Sequence, residues 1–111
     1  MCIFVSMDAA TISMVKLIKE NISEIDPRAD VILYGSRARG DAGNNSDWDI
    51  LVLTDYPVNT EVETRFRDNL YLLELETGEA LSLFLYSKQE WNTRQRITPY
   101  FENVSKQGIL L

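Results

Sequence analysis

The stretch Val31–Asp55, "VILYGSRARGDAGNNSDWDILVLTD", decides how the chain is read. An apolar run breaks at Gly35-Ser36, crosses a polar segment and re-enters apolar sequence through Asp47-Trp48-Asp49. Val31 to Tyr34 reads as a short strand, and Asp47 to Thr54 as a second one ended by Tyr56-Pro57. Residues i and i+2 of a strand share a face, so Asp47 and Asp49 point one way and Trp48 the other. Leu51 and Leu53 continue the carboxylate face as packing. Beyond Asp49 the strand is apolar on both faces, which predicts a central place in the sheet. The acid pair then sits at the strand's entry, where the sheet meets solvent.

Two carboxylates so close repel by roughly 4 kcal/mol at 4 Å and an effective dielectric of 20. A divalent cation relieves this, and Mg²⁺ prefers one or two carboxylates together with substrate phosphates and water. Asp47 and Asp49 therefore read as a metal seat for a phosphorylated ligand. Gly35 lets a phosphate approach the backbone closely. Ser36 adds a hydroxyl, the following N–H groups can form an anion-binding turn, and Arg37 and Arg39 bring positive charge. The ten residues Arg37–Ser46 suffice for a turn or helical loop that sets the Gly-Ser end beside the Asp entry. Taken singly, Asp-x-Asp at a strand start or Gly-Ser after a strand is an ordinary cap or turn; the combination carries the site. "GSRARG" lacks the middle glycine of a dinucleotide fingerprint and the Gly-Lys of a P-loop. "DAGNNSDWD" does not fit an EF-hand loop.

Outward from this stretch, Ile12, Val15, Ile18, Ile22 and Ile25 recur at helical spacing and predict a helix from about Asp8 to Ile25. Asp26-Pro27 ends it. Thr60 to Glu63 reads as a capping box opening a second helix with an apolar stripe of Val62, Phe66, Leu70 and Leu73, closed by Gly78. Ala80 to Tyr86 is a third strand, and Ser87 to Trp91 starts a short helix. Thr98-Pro99 opens a last helix, which turns Tyr100, Phe101 and Val104 to the body and ends at Gly108. The order predicts an α+β fold, a small mixed sheet flanked by helices, in one domain over residues 1–111. Met1–Met7 reads as a short edge strand or an over-long start.

The bulk numbers narrow the chemistry. The 111 residues carry a formal net charge of −6, no histidine and a single cysteine, Cys2. The acidic balance argues against an extended nucleic-acid surface. Histidine acid–base chemistry, disulfides and Cys-metal clusters are excluded. Without a run of about 20 apolar residues no membrane span is expected, and the cytoplasm is the default. A body this small favours a shallow cleft, or one completed by a partner.

Gly35-Ser36, ten residues, then Asp47-x-Asp49 resembles the signature of the nucleotidyltransferase superfamily that includes DNA polymerase beta and kanamycin nucleotidyltransferase. The wording "YGSRARG…SDWDILV" is most similar to its minimal nucleotidyltransferases, small prokaryotic proteins often paired with a HEPN-domain partner in toxin–antitoxin modules. The resemblance is close over Val31–Leu53 and looser from the first helix to the third strand. It implies a nucleotidyltransferase-like core and catalytic, Mg²⁺-binding roles for Asp47 and Asp49. It also implies that Gly35 and Ser36, with Arg37 and Arg39 beside them, hold the phosphates of ATP or another nucleoside triphosphate. The implied reaction transfers a nucleoside monophosphate, AMP by preference, to an acceptor and releases pyrophosphate. The implied partner is a HEPN protein; oligomeric state stays open.

Active members usually carry a third carboxylate on a later strand between apolar residues. Here that position falls on Ser82, between Leu81 and Leu83, and serine is a poor metal ligand and a poor base. Glu79 lies three residues earlier, on the opposite strand face, and Glu74 and Glu76 sit near a helix end. Three readings follow: an active nucleotidyltransferase, a pseudoenzyme that acts by docking on a partner, and a plain structural domain.

Overall fold

The computed structural model describes residues 8–43 and 45–111. Its elements are α1 (Ala9–Ile25), β1 (Asp30–Tyr34), α2 (Ser36–Arg39), β2 (Trp48–Thr54), α3 (Thr60–Thr77), β3 (Leu81–Ser87), α4 (Lys88–Asn92), a 3₁₀ turn (Gln95–Ile97), α5 (Pro99–Gln107) and β4 (Ile109–Leu110). The sheet order is β3-β2-β1-β4. β1 is antiparallel to β2 and to β4, while β2 and β3 run parallel. The strand through Asp49 is thus central, as its two-sided apolar pattern requires. The edge strand and Cys2 read in Met1–Met7 lie outside the described residues.

Each face of the sheet has its own cover. Val31, Leu33, Trp48, Ile50, Val52 and Leu83 pack with Met14, Ile18 and Ile22 of α1 and Phe66, Leu70 and Leu73 of α3. On the other face Ile32, Leu51 and Leu53 pack with Trp91 of α4 and Val104 of α5, bordered by Tyr34, Tyr86, Tyr100 and Phe101. Leu51 and Leu53 therefore extend the Asp49 face as packing.

Three sequence expectations shift. The buried stripe of α1 is Met14–Ile18–Ile22, and Ile12 is 51% exposed. Ile12 lies six residues before Ile18, about 120° around the helix, whereas Met14 is one turn away. The cap of α3 is Asn59 rather than Thr60: its side chain accepts from the Val62 N–H at 2.9 Å. Asn caps at least as well as Thr, and the one-residue shift keeps Glu61 and Glu63 in the first turn, where the helix dipole favours them. β2 starts at Trp48, which leaves Asp47 on the loop just outside the ladder.

Two features join elements that the sequence kept apart. Asn21 Nδ2 donates to the Asn69 carbonyl at 2.8 Å, and Asn69 Nδ2 returns a bond to the Asn21 carbonyl at 2.9 Å, which staples α1 to α3. At the exposed edge, Glu74 accepts from the Leu81 N–H and Arg67 donates to the Leu83 carbonyl. These side chains occupy part of a strand edge that would otherwise invite pairing.

Candidate functional site

Gly35 ends β1 with φ +76° and ψ −158°, a backbone conformation essentially restricted to glycine. This turn launches α2, whose Ala38 and Arg39 N–H groups donate to the Gly35 carbonyl at 3.1 and 3.0 Å. Gly40 closes α2 in the left-handed conformation, φ +85°. The chain then doubles back through the loop to β2.

The ladder places Asp49 between two neighbours on its own face: Tyr34 in β1 and Ser82 in β3. Ser82 thus stands where the sequence reading placed the missing third carboxylate. Gly35 closes the corner from the side, because a Cβ built there would overlap Asp49 Oδ2. The strand end and the strand entry therefore meet at Gly35 and Asp49. Asp47 is exposed and Asp49 half-buried. Burial raises the Asp49 pKa above the usual carboxylate value; the charge of Asp47 adds to this and that of Arg39 opposes it.

The two arginines part company. Arg39 is exposed, within electrostatic reach of Asp49, and held by Asp41 Oδ2 at 3.2 Å and Gln107 Oε1 at 3.1 Å. Arg37 turns to the α1/α3 side of the sheet, where its guanidinium lies 4.4 Å from the centre of the Trp48 ring. There it also bonds the Ser46 carbonyl and faces Glu79. Glu79 lies on the Trp48 side, opposite Asp49, since its carboxylate accepts from Trp48 Nε1 at 3.2 Å.

The aromatic cover of the site was not singled out from sequence. Tyr34 and Tyr100 meet edge to face at 5.4 Å, and Tyr100 also touches Phe84 and Trp91. Burial pushes both phenols up, so they stay neutral beside Asp49. The Tyr100 hydroxyl lies next to that of Tyr34 without ordinary hydrogen-bond geometry. Tyr34 was legible as the residue before Gly35, yet only the strand register shows that it pairs with Asp49.

Among the described residues, no three Asp, Glu, Cys or His side chains cluster to hold a metal ion by themselves. Two carboxylates, Asp47 and Asp49, lie within electrostatic reach of each other at the β2 entry, and the charge of Asp47 adds to burial in raising the Asp49 pKa. That donor set fits a cation shared with phosphate oxygens and water, as Mg²⁺ prefers.

The family model for a nucleotidyltransferase domain matches residues 15–102, from α1 into α5, and so spans the whole Gly35–Asp49 corner. The chain belongs to the nucleotidyltransferase family. A crystal structure of a toxin–antitoxin with AMP-PNP has the same fold, with a TM-score of 0.57 and 20% identity over 90% of this chain and 70% of that one. A protein of Sulfolobus solfataricus whose nucleotidyltransferase assignment is itself provisional gives a TM-score of 0.49 and 26% identity, over 90% and 80% of the two chains. No curated protein matches the chain. Among the described residues of this nucleotidyltransferase domain, no helix is long and apolar enough to cross a membrane.

Proposed function

We propose that the domain binds a magnesium-chelated nucleoside triphosphate, ATP by preference, at the Gly35–Asp49 corner and transfers its nucleoside monophosphate to an acceptor. The observation that carries this reading is the contact of Gly35 with the Asp49 carboxylate. It brings a backbone able to admit a phosphate closely against one of the two carboxylates able to share a cation with it. Gly35 and Ser36 hold the terminal phosphates and Arg39 leaves Gln107 for phosphate. Asp47 and Asp49 hold the Mg²⁺, which neutralises phosphate charge when bound. An acceptor oxygen attacks the α-phosphorus, the bond to the bridging oxygen breaks, and pyrophosphate leaves with the electron pair. The residues supply position and charge, which is most of what such transfer requires.

Among the described residues, Ser82 rather than a third carboxylate stands beside Asp49 in β3, so the acceptor proton passes to water or to a group from a partner. This favours a weak activity, or one completed by a partner; a HEPN-domain protein of a toxin–antitoxin pair is the partner proposed. The neighbour crystallised as a toxin–antitoxin with AMP-PNP gives that choice its direction. The second reading, a pseudoenzyme acting by docking, rests on the same serine.

Calorimetric titration of ATP with and without Mg²⁺ tests the donor site. Metal-dependent binding is expected, and its absence in the wild-type domain counts against the reading. Ser82→Asp separates the two readings. Label transfer from α-labelled ATP is expected to rise by about 100-fold or more if the serine alone limits the chemistry, the low end of general acid–base contributions. An unchanged, undetectable transfer with intact binding selects the docking protein.

A further inference from the structure

Arg37 makes contacts of three kinds at once. Its Nε and Nη2 both donate to the Ser46 carbonyl, at 3.3 and 2.9 Å. Its planar group covers the Trp48 indole at 4.4 Å. Its Nη2 lies 3.8 Å from Glu79 Oε2, the oxygen that also accepts from Trp48 Nε1. The side chain is only 16% exposed, although it stands on a short helix at the surface.

These contacts converge on one peptide. The Ser46 carbonyl belongs to the bond that enters Asp47, and the next residue, Trp48, is fixed in the sheet by its N–H bond to the Ala80 carbonyl at 2.9 Å. Asp47 is therefore pinned on both sides while its own side chain projects from the loop. Arg37 in turn sits one residue beyond Gly35-Ser36, so the clamp ties the phosphate-side turn to the carboxylate pair. A guanidinium can stack on an indole and present two parallel N–H groups to a carbonyl, and an ammonium cannot do both.

We propose that Arg37 is a positioning residue: by bridging the Ser46 carbonyl and the Trp48 indole, it sets the Asp47 carboxylate for the cation. This rests on the donor-site reading above. It assigns Arg37 to orienting a ligand, with Arg39 left as the arginine that meets phosphate. Supporting groups of this kind govern metal affinity nearly as strongly as the ligands themselves.

Arg37→Lys keeps the charge and removes the clamp. Amide exchange at Ser46 and Asp47 in the ligand-free domain is expected to quicken while β2 amides stay protected. Mn²⁺ affinity, titrated without nucleotide, is expected to fall by roughly 10- to 100-fold, with metal-free ATP affinity unchanged. Glu79→Gln, which keeps an acceptor for Trp48, is expected to give a smaller shift in the same direction. Unchanged exchange at Ser46 and Asp47 in Arg37→Lys overturns the clamp. A fall in metal-free ATP affinity as large as that for Mn²⁺ also overturns it, since that marks a phosphate ligand. Should the wild type bind neither Mn²⁺ nor ATP, the donor-site reading fails and the proposed role for Arg37 falls with it. Quickened exchange would then report the local packing alone.

Discussion

Asp49→Asn is expected to do two opposite things: abolish Mg²⁺-dependent nucleotide binding and stabilise the ligand-free domain at neutral pH. The first follows from removing one of two charges. The loss is roughly 100-fold in affinity, about 2.7 kcal/mol, with metal-free ATP binding barely changed. The second follows from the environment of Asp49, where burial and Asp47 raise the pKa from the ordinary value of 3.8 and Arg39 pulls the other way. A carboxylate whose folded pKa lies above its unfolded one binds protons more tightly in the native state. Stability is then highest below the unfolded pKa and falls as pH rises through the folded one. The amide carries no such penalty. Asn at this position should melt higher than wild type at pH 7, and the gap should close toward pH 3.8 and below. Mg-ATP should raise the melting temperature of the wild type alone, so the two curves approach or cross when ligand is added. The exposed Asp47 serves as the control: Asp47→Asn should lose binding with little gain in ligand-free stability. Retention of full Mg²⁺-dependent binding by Asp49→Asn would mean that the acid pair is only an electrostatic burden on the sheet.

The parts of this site that were legible in the sequence are those set by local rules. Alternation along "DWDILVL" fixed the faces of Asp49 and Trp48, and the break at Gly35 fixed where β1 ends. Counting along "ALSLFLY" placed Ser82, and the ladder pairs it with Asp49. What was not legible depends on partners distant in the chain. Charge singled out Arg37, but the place of its guanidinium, on Trp48 and near Glu79, depends on Glu79, which comes from the loop before β3. Tyr100 reads as a core residue of a late helix, and its position over Tyr34 exists only once α5 folds back across the sheet. The cap of α3 moved by one residue because Thr60 and Asn59 both satisfy the local rule, and only the backbone bend chooses between them.

Gly35→Ala carries the second large effect and tests the close approach directly. The native φ and ψ lie in a region that L residues occupy at a strain of roughly 1–3 kcal/mol. The new methyl also overlaps Asp49 Oδ2, with Asp49 Cγ at 3.2 Å and Cβ at 3.4 Å. The neighbour is the far end of a side chain, so the carboxylate can swing aside and the fold should persist. The site should not. Mg²⁺-dependent binding is expected to vanish as completely as in Asp49→Asn, and the melting temperature to drop by roughly 4–12 °C. Gly40→Ala provides the contrast, since Gly40 also has positive φ, at +85°, but open space where its Cβ would go. It should lose about 1 kcal/mol and keep its ligand. The clash itself can be isolated with Asp49→Ala, which removes Oδ2 and Cγ and leaves only the Cβ, at 3.4 Å, beside the methyl. There Gly35→Ala should destabilise by the backbone strain alone, a smaller drop than in the wild type. The interaction energy between the two positions then measures how tightly the strand end is pressed against the carboxylate. If the two substitutions add without interaction, Gly35 is present for its turn only. The geometric link between the phosphate-side turn and the acid pair, on which the functional reading rests, would then be lost.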